Sequence, residues 1–146
     1  EIFQVGNLNW ISTLSLIQHL DLSSTNLHKE LDWFFKFLVH FLPEELHLEN
    51  CQIDNLAPSK GKANFTNLQV LDLSNNNLDQ GIFSWISNLS RTLVQLDLRS
   101  NFLQGEVPKM LSRIQNLQSL VLQENQLSGK LPDSLGKLEH LEILDL

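Results

Sequence analysis

The sequence predicts an α/β solenoid, with one parallel β-sheet along the concave face and 3₁₀, helical or loop segments returning along the convex face. Three observations predict it. A Leu-x-Leu pair recurs with its first leucine at Leu20, Leu46, Leu71, Leu96, Leu120 and Leu144. Each pair alternates with period 2, the pattern of a short strand buried on one face. Beyond the pair the leucines are spaced by three, as in Leu135-x-x-Leu138-x-x-Leu141, the spacing of a helical or 3₁₀ return.

The successive first leucines are 26, 25, 25, 24 and 24 residues apart, within the period of leucine-rich repeats. One strand and one return cannot bury their own leucines, so each unit depends on neighbours like itself. The expected domain is a single solenoid segment over residues 1–146, with about five complete repeats and partial repeats at both ends. Neither end carries the polar cap that a solenoid needs. The chain therefore reads as an uncapped fragment, expected to fray or aggregate when isolated.

In order, Glu1 to Ile17 reads as a repeat without its strand, with Phe3, Ile11, Leu14 and Ile17 matching Leu127, Leu135, Leu138 and Leu141. Repeat one follows through Leu20, Leu22, Thr25 and Leu27. Its aromatic return, Leu31 to Leu42, carries Trp33, Phe34, Phe35, Phe37 and Phe41 and reads as a convex-side helix rather than a binding patch. In repeat two Pro43 stands at the leading leucine, Cys51 at the position held elsewhere by Asn, and Asn55 to Gly61 is a loop by composition. Cys51 reads as a buried structural thiol. Repeat three has a full strand half but Gln80 and Phe83 where repeats four and five have Gly and Pro. Those two repeats are regular: Asn101, Leu103, Gly105, Val107, Pro108, then Asn125, Leu127, Gly129, Leu131, Pro132.

Each residue type has a physical reason. Leu71, Leu73, Leu96, Leu98, Leu120 and Leu122 face one interior with Leu111, Leu135 and Leu138, each contributing about 1.5–3 kcal/mol of transfer energy. Where the chain leaves the strand, backbone N–H and C=O groups turn inwards. Asn76, Asn101 and Asn125 carry both donors and an acceptor to satisfy them, and so form a ladder between repeats. Gly105 and Gly129 permit positive φ, and Pro108 and Pro132 pre-set φ for the outer segment.

Ten basic and 17 acidic side chains give a net charge of −7, which disfavours nucleic acid and anionic lipid. No apolar run is long enough to span a bilayer, so no membrane contact is expected from this segment. With one cysteine there is no intrachain disulfide. Two Asn-x-Ser/Thr sequons, at Asn64 and Asn88, lie on outer returns and point to glycosylation and secretion. No phosphate loop, zinc signature or Ser-His-Asp constellation occurs, so neither an enzyme, a cofactor nor a metal is expected.

The segments NFLQGEVPKMLSRIQNL and NQLSGKLPDSLGKLEHL resemble the plant-specific extracellular leucine-rich repeat. WISTLSLIQHLDLSSTNL, ELHLENCQI and NFTNLQVLDLSNNNL resemble plant receptor-like proteins that detect microbial elicitors. The resemblance implies a right-handed superhelix in an N-glycosylated ectodomain at the extracellular face of the plasma membrane. It implies signalling in defence or development, with a protein or peptide ligand and a co-receptor kinase as partners. Alternative readings are a secreted enzyme inhibitor of the polygalacturonase-inhibitor type and an ectodomain piece of a leucine-rich-repeat receptor kinase.

A ligand is expected on the outward strand positions. The central row reads Asp21, His47, Asp72, Asp97, Val121 and Asp145, with His19 and Glu45 two residues earlier and Glu49 and Arg99 two residues later. Rows on neighbouring strands lie about 4.8 Å apart, so His19, Asp21, Glu45, His47, Glu49, Asp72, Asp97 and Arg99 form the candidate patch, suited to a basic peptide. Ordinary solvated acidity of the Leu-Asp-Leu step is the competing reading.

Overall fold

The computed structural model describes residues 3–4, 8–28, 43–54, 66–87 and 91–146. The aromatic return Leu31–Leu42, the loop Asn55–Gly61 and the sequon residues Asn64 and Asn88 lie outside the described residues.

Among the described residues ten short strands run in chain order: β1 Phe3–Gln4, β2 His19–Asp21, β3 Thr25–Asn26, β4 Glu45–His47, β5 Val70–Asp72, β6 Gln95–Asp97, β7 Gln104–Gly105, β8 Ser119–Val121, β9 Gln126–Leu127 and β10 Ile143–Asp145. The Leu-x-Leu strands form one parallel sheet, β2-β4-β5-β6-β8-β10. Its register pairs Leu20 with Leu46, Leu46 with Leu71, Leu71 with Leu96, Leu96 with Leu120 and Leu120 with Leu144. The leucine spacing and the ladder therefore agree. Parallel crossovers of this kind turn right-handed, and the chain is a right-handed α/β solenoid.

Leu46, Leu71, Leu96 and Leu120 are at most 1% exposed, whereas Leu144 on the last rung is 42% exposed. Burial of a rung comes from the rung stacked on it. At the other end Leu8, Ile11 and Leu20 are all buried in the one core cluster, but Leu14, expected inside, is 38% exposed. Leu131 in the last return is likewise exposed, although its counterpart Val107 is buried.

The returns follow their sequences. Pro108 and Pro132, at φ −71°, each precede a 3₁₀ turn, over Lys109–Arg113 and Asp133–Lys137. Repeat three lacks the Gly and Pro and forms an α-helix instead, α1, Gly81–Ile86, which buries Ile82, Phe83, Trp85 and Ile86. Phe83 keeps an amide hydrogen where Pro would have none, so a helical turn can close. The regular repeats add a second short sheet, β7 with β9, and β1 pairs with β3 in the same manner.

Candidate functional site: the concave face

A left-handed residue stands in the turn after five of the strands, β2, β4, β5, β6 and β8. Ser24, Asn50, Asn75, Ser100 and Glu124 are all left-handed, with φ of 60°, 55°, 56°, 53° and 54°. This conformation costs an ordinary residue about 1–2 kcal/mol. In return it aims the N–H along the solenoid: Ser24 N donates to Glu49 O at 2.7 Å, Asn50 N to Ser74 O at 3.0 Å, Asn75 N to Arg99 O at 2.9 Å and Ser100 N to Gln123 O at 3.0 Å. The sequence reading placed positive φ only at Gly105 and Gly129, where it also occurs. Gln52, one residue after Cys51, is left-handed as well, at φ 58°, and none of these non-glycine positions is marked as such by its residue type.

The asparagines sit one residue further on. Asn76 Oδ1 accepts from Cys51 N (3.0 Å) and Ile53 N (3.1 Å), and its Nδ2 donates to Leu48 O, Leu73 O and Ser74 O. Asn101 and Asn125 repeat the pattern, accepting from Leu78 N and Leu103 N and donating back to Leu73 O and Leu98 O of the preceding repeat. Cys51 takes over the donor half of this role, with Sγ 3.1 Å from Leu22 O. Burial pushes its thiol up to about 11, so it is neutral at physiological pH.

On the outward side, the register brings His19 opposite Glu45 and Asp21 opposite His47, then His47 opposite Asp72 and Asp72 opposite Asp97. Three of the aspartates have a local task. Asp21 Oδ1 accepts from Ser23 N (2.8 Å), Asp72 Oδ1 from Ser74 N (2.9 Å) and Asp97 Oδ1 from Arg99 N (2.9 Å). Each carboxylate thus fixes the backbone two residues on, an Asx-type turn. Arg99 closes back on Asp97 at 2.9 Å, and Glu49 Oε1 accepts from Asn75 Nδ2 at 3.0 Å.

A tighter cluster forms on β2 and β4. His19 Nδ1 lies 2.5 Å from Glu45 Oε2, and His47 Nε2 lies 3.9 Å from the same oxygen. His47 Nδ1 is 3.9 Å from Asp72 Oδ2, and the two imidazole centroids are 5.1 Å apart. The hydrogen bond with His19 holds the Glu45 carboxyl below its ordinary range. Hydrogen bonds from Ser23 do the same for Asp21. Burial lifts Asp97 in the opposite direction, with the Asp72 charge adding to it.

Spacing along the chain showed no ligand motif among the histidines. Their convergence is created by the rung-to-rung register. The outer side carries a groove of about 750 Å³ whose lining includes Arg91, Arg113 and Lys137.

Residues 67–89 match the family described as Leucine Rich Repeat, and residues 91–146 match a second, described as Leucine rich repeat. With six rungs in register, the chain belongs to the leucine-rich-repeat proteins. Within that class it resembles plant receptors. It is 32% identical over 118 residues to Receptor-like protein EIX1 of Solanum lycopersicum, covering 78% of this chain and 11% of that protein. It superposes on the plant peptide hormone receptor RGFR1, in complex with RGF2, with a TM-score of 0.71 at 25% identity, covering 99% of this chain and 22% of the receptor. The Arabidopsis receptor kinase HAESA, in complex with the peptide hormone IDA and the co-receptor SERK1, gives a TM-score of 0.63 at 28% identity, covering 92% of this chain and 26% of that one. The chain thus spans about a tenth or less of the curated relatives it matches and about a quarter of each of these two receptor structures.

Proposed function

We propose that this chain is a ligand-binding segment of a plant cell-surface receptor-like protein, acting in defence or developmental signalling. The observation that carries the reading is the concave sheet. Its two outward rows, through His19, Glu45, Val70, Gln95 and Ser119 and through Asp21, His47, Asp72, Asp97 and Val121, are in strict register and present polar and charged side chains on the side away from the leucines. The patch is acidic, with Asp21, Glu45, Glu49, Asp72 and Asp97 against a single Arg99, and a protein or peptide with basic side chains is its complement. Likeness to EIX1, and to receptors solved with peptides and a co-receptor, supports an extracellular position and a co-receptor kinase as second partner. The segment's role is recognition rather than catalysis.

The test is binding of fluorescent peptides of graded charge to the chain. Basic peptides bind more tightly than acidic ones, and Glu45→Lys with Asp97→Lys abolishes that preference, because it leaves three acidic side chains against three basic ones. Equal affinity of the unsubstituted chain for both peptide charges, or an order that survives the double substitution, overturns the concave reading. Secretion from plant cells followed by glycan removal tests the compartment: a mass loss that disappears in Asn64→Gln and Asn88→Gln supports an extracellular segment.

A further inference from the structure

We propose that His19, Glu45 and His47 form a binding site for a divalent transition-metal ion of the Zn²⁺ type on the concave face. The ligand atoms of the three side chains all lie within 4.8 Å of one another. The backbone explains why. His19 and Glu45 are register partners on adjacent strands, and His47, two residues beyond Glu45, projects from the same face of β4. The three side chains therefore project from one side of a rigid two-strand base, which fixes the positions of their Cβ atoms.

The chemistry fits one class of ion. Two imidazole nitrogens and one carboxylate oxygen suit Zn²⁺ and its transition-metal neighbours, whereas Ca²⁺ and Mg²⁺ take oxygen donors alone. Zinc bonds to these donors are about 2.0–2.2 Å long, so tetrahedral donors sit roughly 3.3–3.6 Å apart. The observed separations of 2.5 Å and 3.9 Å bracket that value. All three side chains are partly or largely solvent-accessible, and small rotations about their side-chain bonds bring the donors to equal distances. Asp72 adds an independent feature. Its carboxylate stands on the side of the second ring nitrogen of His47, 3.9 Å away and beyond hydrogen-bond distance, so a modest approach would make it the outer carboxylate of a ligating histidine. Three protein donors leave a fourth position open to the concave face, for water or for a donor from a bound partner.

The rival account is a hydrogen-bonded His–carboxylate contact with no ion, which the chain also contains: His28 Nδ1 lies 3.2 Å from Asp54 Oδ2. That pair supplies an internal control. Calorimetric titration of the chain with ZnCl₂, and Co²⁺ titration followed by visible absorption, read the site directly. One ion per chain is expected, with the intense ligand-field bands of tetrahedral Co²⁺. His19→Gln and His47→Gln each weaken binding by at least about tenfold, and His28→Gln leaves it unchanged. Thermal melts show that the variants remain folded, as the exposure of these side chains predicts. Absence of heat and of Co²⁺ bands overturns the proposal. So does binding that survives either His19→Gln or His47→Gln, or that is lost with His28→Gln. The outcome does not depend on whether the segment binds a peptide.

Discussion

Asn101 is bonded on both sides of a repeat boundary. Its carboxamide accepts from Leu78 N and donates to Leu73 O, Leu98 O and Arg99 O, while 5% exposed. Alanine at this position orphans several buried backbone groups at about 1–3 kcal/mol each, so Asn101→Ala is expected to cost about 3–5 kcal/mol, read as a fall in the urea midpoint. Asp97 makes a different prediction. Burial raises its pKa above the ordinary 3.8, so the folded chain holds this proton more tightly than the unfolded one. Its contribution to stability is complete below the ordinary carboxylate value and is lost as pH rises through the folded value. Asp97→Asn keeps an acceptor for Arg99 N and removes the buried charge. The variant is therefore expected to be more stable than the wild type at neutral pH, with the difference closing as pH falls through the ordinary carboxylate range. Melting curves across that range would test it.

At the scale of elements, the outer segments differ because a few residues decide whether a helix can close. Repeats four and five enter a 3₁₀ turn behind Pro108 and Pro132, while Phe83 lets repeat three form an α-helix and fills the interior with an aromatic ring. The two glycines that precede those prolines are not equivalent. Both are left-handed, with φ +75° at Gly105 and +87° at Gly129. A Cβ on Gly105 would approach nothing closer than 3.8 Å, but one on Gly129 would lie 2.7 Å from Glu106 Cγ. Gly105→Ala is expected to cost about 1–2 kcal/mol from backbone strain alone. Gly129→Ala costs more by the displacement of Glu106, and the ranking is measurable by denaturation. The extra term shrinks in Gly129→Ala combined with Glu106→Ala.

Over the whole molecule, each rung is covered only by its neighbours, so protection grades along the axis. Leu96 and Leu120 are sealed, whereas Ile143, Leu144 and Leu146 are each more than 40% exposed. In the 146-residue segment taken by itself, amide exchange is expected to be slowest in β5, β6 and β8 and fastest in β10, since local opening is cheapest where few apolar contacts hold a strand. Uniform protection from β2 to β10 would contradict this one-dimensional picture. The same geometry leaves the solenoid's broad concave surface for recognition. On that surface the only compact cluster of metal-competent side chains among the described residues is the His19–Glu45–His47 group.

Taken alone, the sequence determined the coil. Leucines at a 24-to-26-residue period fix which strands are neighbours and in what register, because a one-residue slip would turn every Leu-x-Leu pair to solvent. It also carried the outward rows, since alternation within a strand settles which side chains leave the core. Only the tertiary structure decided what those side chains meet. Asp21, Asp72 and Asp97 fold back onto their own turns, and His19, Glu45 and His47 converge across two rungs. The left-handed residues between strand and ladder were likewise hidden, as only Gly announces positive φ by its identity. For the histidine–glutamate cluster the reason is long range. Burial is a local property repeated at every period, whereas side-chain contacts across the sheet join residues 26 positions apart, whose rotamers no spacing rule prescribes.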